Sequence, residues 1–495
     1  MSPATRHETA PQDRISFGHR IIYGLGAFVN NLLAGASGGM MIVLNLGFGM
    51  NPALVGLLGA IPRITDAFTD PMMGYISDHT QSRWGRRRPY IFGGAIAVGL
   101  LFILLWQLPD GKSETFYFVY FLIGSILFYG AYTVYATPWV ALGFELTPDY
   151  HERTRVMGTA NFIGQLAYVA SPWFLWIMTY EGFFDNQRDG AAGLAIIVAV
   201  VVMAVGVIPA IFLREPLKAV AQAEAEEKHA GGGLLQSVGA FFRGFGTVLQ
   251  SRPFLLLCAA TFLIFNGFML IASFQFYVII YYVFGGDQAL GAEYAGYAGT
   301  LGAVATFAVV VFVTWLGTKV GKRRAFMIST AVSVVGYALK WPAYNPEIPW
   351  LVILPAPLLA FGLGGLFTLV PAMLADVVDL DELTSHERRE GMFGSIYWWV
   401  VKLGMAAALA AGGFLLNATG FDVNLGGDQT DRTLLLMRLF DVGIPMLTSA
   451  LAIWAVARFP ITEETAYEVR AELERRRGAT GGESAAGVAL DAGAE

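Results

Sequence analysis

Gly85-Arg86-Arg87-Arg88-Pro89-Tyr90 returns 236 positions later as Gly321-Lys322-Arg323-Arg324-Ala325-Phe326. A second pair, His151-Glu152-Arg153 and His386-Glu387-Arg388, is offset by 235. One such match between basic loops arises easily by chance; two in nearly one register point to a duplicated chain. What separates these basic segments is apolar. Of the 495 residues, 55% are hydrophobic and 14% charged, and the mean hydropathy is +0.55. A water-soluble fold of this size needs nearer a quarter charged residues to cover its surface, so the solvent is lipid. The 32 basic and 38 acidic residues leave −6, with no basic excess for nucleic acid. A single cysteine, Cys258, excludes an intrachain disulfide, and the six histidines form no metal-ligand spacing. No cofactor motif and no enzyme motif is present.

Outward from the basic segments, twelve mostly apolar runs emerge: Phe17–Leu46, Pro52–Ser77, Tyr90–Pro109, Phe116–Leu146, Val156–Tyr180, Ala191–Leu213, Phe254–Phe284, Tyr294–Val320, Ala325–Trp341, Trp350–Ala375, Met392–Leu416 and Thr433–Ala457. They are too long for barrel strands and lack period-two alternation, so each predicts a membrane-spanning helix. Basic residues gather in alternate loops: Arg83 and Arg86–Arg88, then Arg153, then Lys322–Arg324, then Arg388 and Arg389. Such loops face the cytoplasm, which puts both termini there. The expected organisation is a cytoplasmic tail over 1–16, a six-helix bundle over 17–213, a cytoplasmic central loop over 214–252, a second bundle over 253–458 and a cytoplasmic tail over 459–495. Within the central loop, Leu234–Gln250 has an apolar face and is expected along the membrane surface. In the last tail, Glu463 and Glu464 open and Arg475–Arg477 close a short helix, and the remainder from Gly478 reads as disordered.

A parallel repeat of six helices resembles the plan of the major facilitator superfamily, in which two bundles rock about a central site. Charge at membrane depth locates that site, since each such group costs ~2.5–3.5 kcal/mol even on a lenient insertion scale. The second run carries three: Arg63, Asp66 and Asp70, at i, i+3 and i+7, on one helical face. Thr65 and Thr69 add hydroxyls, and Pro71 and Gly74 can free backbone carbonyls. Two ionised carboxylates on one face repel, and a sodium ion or a proton relieves the repulsion. A structural salt bridge of Arg63 with one aspartate is the alternative, and it leaves the other carboxylate without a partner. Lys402, near the middle of the eleventh run, matches the depth of Asp66 and can meet the aspartates across the centre. Trp398, one turn earlier, offers a platform for a sugar ring. Asn30 and Asn31, Asn161 and Gln165, and Asn266 and Gln275 are amides at membrane depth, suited to hydroxyl-rich cargo or to bridging helices. Arg438 and Asp441, three apart, read as a local structural pair.

The run Asp66-Ala67-Phe68-Thr69-Asp70-Pro71-Met72-Met73-Gly74, followed by Asp78 and Ser82-Arg83-Trp84-Gly85-Arg86-Arg87-Arg88-Pro89, resembles the signature of the glycoside–pentoside–hexuronide:cation symporters, the melibiose-permease branch of that superfamily. Tyr23-Gly24-Leu25-Gly26-Ala27-Phe28, Ala375-Asp376-Val377-Val378-Asp379 and Val400-Val401-Lys402 agree with it. The resemblance implies a sodium, lithium or proton site at Asp66, Thr69, Asp70 and Thr133, with Lys402 linked to it; Arg63, on the same helical face, is the second candidate for coupling. Separately, the cytoplasmic Arg86, Arg87 and Arg88, with Asp78 and Asp149, read as gating loops that hold one conformation by charge pairing, or as simple positive-inside orientation, and both can hold. The sugar positions depart: Asn31 and Ala136 stand where relatives often have acids, and Asn161 where they have an arginine. Candidate substrate contacts are therefore Asn31, Asn161, Gln165, Asn266, Gln275, Trp139 and Trp398.

The expectation is an all-α, twelve-helix carrier in a bacterial-type inner membrane, monomeric, importing a sugar or related small solute with sodium or protons. It has no resident metal or cofactor. A carrier of an amphiphilic or lipid-like solute on the same scaffold is the alternative; a non-transporting receptor or scaffold is the alternative from another class.

Overall fold

The computed structural model describes residues 13–147, 149–215, 246, 248–385, 389–473, 475 and 476. The helices labelled here are α1 (Phe17–Gly39), α2 (Pro52–Asp78), α3 (Arg88–Trp106), α4 (Glu114–Glu145), α5 (Tyr150–Ala170), α6 (Gln187–Phe212), α7 (Arg252–Tyr277), α8 (Gln288–Val320), α9 (Lys322–Ala343), α10 (Ala356–Ser385), α11 (Glu390–Ala418) and α12 (Asp431–Ala457). Among the described residues there is no strand. Ten helical stretches are long and apolar enough to cross a bilayer. The two that fall outside that set, α2 and α9, have the length but carry more charge: Arg63, Asp66 and Asp70 in one, Lys322–Arg324 and Lys340 in the other.

The helices begin where the backbone finds caps. Ser16, Asn51, Ser113, Asp149, Asn186, Asp287 and Thr430 each accept a backbone N–H of the following turn through the side chain, which satisfies donors the helix itself leaves unpaired. Several helices outrun the apolar runs. α8 starts at Gln288 rather than Tyr294, and α10 continues to Ser385 rather than stopping at Ala375. Hydropathy marks the hydrocarbon, whereas a helix runs until its hydrogen bonds find another partner. α7 ends in a π-helical segment, Val278–Val283.

Duplication is visible in the packing. In the first half α1 packs on α5 and α6, α3 on α4 and α6, and α2 on α4. In the second, α7 packs on α11 and α12, α9 on α10 and α12, and α8 on α10. Each pair becomes its counterpart by adding six. The halves meet through α2 with α11 and α5 with α8, again one relation used twice.

Contacts between the halves concentrate at one end. A Cβ added to Gly413 would lie 2.2 Å from Pro52 O, and one on Gly56 2.6 Å from Leu409 O, so α2 and α11 touch backbone to backbone where only glycine fits. Nearby, Trp173 Nε1 donates to Thr300 Oγ1 at 2.8 Å, Tyr277 OH donates to Asn45 Oδ1 at 3.0 Å, and Gln187 donates to Gln288. The apolar core follows the same division. One cluster joins the first half to residues such as Phe274, Tyr277 and Phe421 at this end, while a second cluster, around Phe254, Phe326 and Phe393, belongs to the second half alone.

Opposite that end, the following ion pairs of the described residues lie inside each half. Arg86 pairs with Glu145, and Arg87 with Asp78 and Glu145 at 2.8 and 2.7 Å. Glu215 accepts the backbone N–H groups of Arg86, Arg87 and Arg88 at 3.0, 2.8 and 3.2 Å, an anion at a helix N-terminus. In the second half Lys322 pairs with Asp376 at 2.6 Å and Arg389 with Asp381 at 2.8 Å. Gly85 and Gly321 both take positive φ, 100° and 82°, as the repeated loop requires. Residues 463–473 form a helix, and Arg476 donates to Leu383 O at 3.1 Å. His386-Glu387-Arg388, nearly all of Leu234–Gln250 and the tail from Gly478 lie outside the described residues.

Candidate functional site

Phase along α2 turns Arg63, Asp66 and Asp70 toward α4 and α11. Thr133 of α4 answers them: its Oγ1 is 3.1 Å from Asp66 Oδ1 and 2.8 Å from Asp70 Oδ1. Thr69 Oγ1 lies 3.4 Å from Thr133 Oγ1. Four oxygens, two of them from carboxylates, thus surround one small region. A hard monovalent cation or a proton suits such a donor set. Among the described residues no group of three or more His, Cys, Asp or Glu side chains could hold a resident metal.

The flanking charges balance the carboxylates from opposite sides. Arg63 Nη1 sits 3.7 Å from Asp66 Oδ2, and its guanidinium lies over the Tyr129 ring, 4.5 Å from the centroid. Lys402 reaches over from the second half and donates to Asp70 Oδ2. The two aspartates differ in access: Asp66 is 3% exposed, whereas the Asp70 and Lys402 side chains are 35% and 27% exposed. Asp66 is the enclosed member and Asp70 the one that meets the gap between halves.

The amides divide. Asn31 packs against Gly164 of α5, beside Gln165, and accepts from Asn30 Nδ2 at 3.3 Å. Asn266 packs against Gly404 of α11 and donates to Phe262 O at 2.7 Å. These two occupy equivalent places, on the first helix of each half against a glycine of the fifth, and 235 positions separate them. That offset was available in the sequence as a sign of their kinship. Asn161 is exposed and Gln165 half-buried. Trp398 is 52% exposed and stacks with Phe367 at 6.5 Å between centroids and 16° between planes.

Other residues go elsewhere. Trp139 is buried, stacked on Tyr23 and donating to Tyr23 O at 3.2 Å, so its polar atom is spent between α1 and α4. Gln275 faces Lys340, whose Nζ is 3.5 Å from its Oε1. Arg438 and Asp441 do not pair with each other. Asp441 instead binds Lys340 at 2.6 Å and Tyr344 OH at 2.5 Å, while Arg438 covers the Tyr282 and Trp341 rings at 4.0 and 4.4 Å and donates to Trp341 O. Helix phase explains the correction: Asp441 turns inward toward α9, and Arg438, three residues away, turns to the aromatic rim. Among the expected gating residues, Asp78, Arg86 and Arg87 meet, with Glu145 as the partner the sequence reading missed. Arg88 donates instead to Ala210 O and Ile211 O at 2.6 and 3.0 Å, and Asp149 caps α5 by accepting from Glu152 N at 2.7 Å.

A family model described as MFS/sugar transport protein matches residues 22–463. The chain belongs to this family. As a member of the MFS/sugar transport family it is a membrane transporter, not an enzyme, of the glycoside–pentoside–hexuronide type that the second helix resembles. It is similar to the isoprimeverose transporter of Lactiplantibacillus pentosus, 25% identical over 96% of this chain and 95% of that protein. It is also similar to the glucuronide carrier protein homolog of Escherichia coli (strain K12), 24% identical over 92% of this chain and 95% of that protein. Among solved structures, a bacterial homolog of the human lysosomal transporter Spinster superposes with a TM-score of 0.65 at 14% identity, covering 90% of this chain and 98% of that one.

Proposed function

We propose that this transporter spans the inner membrane of a bacterium twelve times, with both termini in the cytoplasm, and as a monomer carries a sugar or glycoside inward with one monovalent cation, sodium or a proton. Family membership and the sugar-related names of similar proteins support the cargo class. One observation carries the coupling: Lys402, from the second half, sits on Asp70 of the first, beside the oxygens of Asp66, Thr69 and Thr133. In the empty carrier its ammonium serves as counter-ion to the exposed aspartate. An arriving cation takes over that role, Lys402 is released, and the tie between halves is exchanged for one made through cation and cargo. The basic loops lie opposite the closed end, so the state described opens toward the cytoplasm.

Coupling of this kind is reciprocal: cation tightens cargo and cargo tightens cation. The test is uptake of labelled sugars by proteoliposomes of the purified chain under imposed sodium or proton gradients, wild type against Asp66→Asn and Asp70→Asn. Gradient-driven uptake in the wild type that disappears in both variants is the expected result. Uptake indifferent to both gradients and to both substitutions rules the mechanism out.

A further inference from the structure

Three basic side chains at membrane depth have carboxylate partners: Arg63 meets Asp66, Lys402 meets Asp70 and Lys340 meets Asp441. A fourth, Arg438, forms no ion pair among the described residues. It is seven residues inside α12, about 10 Å along the axis from the helix start at Asp431, where a charge without a counter-ion is costly. The acids of the same helix are placed elsewhere. Asp441 is shared by Lys340 and Tyr344, and Asp431 lies two turns away.

Aromatic rings hold Arg438 on one side and lipid meets it on the other. The guanidinium lies over the Tyr282 and Trp341 rings, a stacking that leaves its in-plane N–H groups for other partners. One of them donates to Trp341 O at 3.2 Å, while Nε is buried without a partner. On the outer flank Leu435 and Leu439 are 52% and 49% exposed; on a membrane-spanning helix such side chains face acyl chains. Trp341 lies two residues before the end of α9, and Tyr282 belongs to the π-helical end of α7. Both stand at the end of the second half opposite the basic segment Lys322–Arg324, which places them in the outer leaflet. An anion completes this site, and the position names its source. A free phosphate would have to leave water beside two leucines, whereas a phospholipid brings its phosphodiester to this depth with the acyl chains those leucines meet. A zwitterionic headgroup offsets its phosphate with its own ammonium, so a net anionic one gains more.

We infer that Arg438, with Trp341 and Tyr282, binds the phosphodiester of an anionic phospholipid in the outer leaflet and so ties the ends of α7 and α9 to α12. The probes are dioctanoyl phosphatidylglycerol, dioctanoyl phosphatidylcholine and glycerol phosphate, each added to the purified full chain in a neutral detergent. Binding is read as a shift in melting temperature over a concentration series and as lipid retained in native mass spectra. The expected result is that phosphatidylglycerol binds more tightly than phosphatidylcholine, and glycerol phosphate gives no shift. In Arg438→Gln that preference should fall roughly fivefold or more, whereas Arg432→Gln, in the exposed first turn of the same helix, should keep it. Leu435→Glu, one turn before Arg438, supplies the guanidinium with a carboxylate of its own and should lose the preference with Arg438 in place, which keeps the inference testable where the glutamine variant fails to fold. Equal binding of the two lipids by the wild type overturns the inference, as does a preference that survives either Arg438→Gln or Leu435→Glu. A shift with glycerol phosphate as large as that with phosphatidylglycerol also overturns it, since the site then takes a soluble anion.

Discussion

Two buried ionic clusters can be compared in this molecule. The first joins α2 to α11 and is partly open: Asp70 and Lys402 keep about a third of their side-chain surface exposed. The second joins α9 to α12 inside one half and is closed, with Lys340 and Asp441 at 3% and 0% exposure and Tyr344 completing the shell. Both place opposite charges at membrane depth. Only the open one can change partners, because exchange needs a route for the new ion and a second group able to move away. Lys402 can withdraw with its half; Lys340 has nowhere to go. A closed pair fixes helix phase, whereas an open pair between two bodies can report what is bound.

The largest expected effect lies at the closed pair. Asp441→Asn leaves a buried lysine without its charge partner and should cost about 3–5 kcal/mol of stability, seen as a lower melting temperature of the purified protein. Lys340→Met with Asp441→Leu should recover most of that loss, and ion-coupled uptake per folded molecule should be preserved. If uptake were lost in the recovered double variant, the second cluster would belong to the transport mechanism and the comparison would break.

At the open cluster, Asp70→Asn should lower cation affinity on the order of 100-fold, about 2.7 kcal/mol, with little change in melting temperature. Calorimetric titration with sodium, or the pH dependence of cargo binding, measures it. Equal losses of stability and affinity would erase the distinction between a closed and an open pair.

Gly413→Val should come next, acting where the two halves meet. Its side chain meets Pro52 O and Gly56, so closure of that end should be disfavoured by about 1–3 kcal/mol. Because the single native cysteine, Cys258, is buried, a cysteine placed at Asn45, which is buried at this end against Tyr277 of the other half, can report access by thiol labelling, which should speed up in the valine variant. Unchanged labelling counts against the glycine contact as the closing surface. Trp173→Phe, which removes the hydrogen bond to Thr300, should give the smallest effect, about 1 kcal/mol in the same direction and by the same readout.

Much of this was legible in the sequence, and the reasons for the remainder are physical. Apolar runs located the ten membrane-length stretches of the described residues, because lipid imposes one requirement on all of them; the first run, Phe17–Leu46, coincides with the stretch found there. The i, i+3, i+7 spacing of Arg63, Asp66 and Asp70 gave their common face, since it depends on one helix alone. Pairings between distant helices were harder. Lys340 and Asp441 find each other through the rotational phase of α9 against α12, a quantity no local pattern contains, so sequence spacing alone puts Asp441 with its neighbour Arg438. Trp139 shows the same limit: an aromatic beside a proline reads as a cargo contact until its ring is found on Tyr23. Glu215 was overlooked because it stands alone after α6, and only the fold carries it to the start of α3.

The glycine crossing of α2 and α11 has a mechanical consequence. Where Gly56 and Gly413 bring the two backbones together there is no side chain to ratchet over, so the helices can roll against each other at that point. Under the proposed coupling, the pace of turnover is then left to the desolvation and exchange of the cation, and the joint behaves as a smooth bearing.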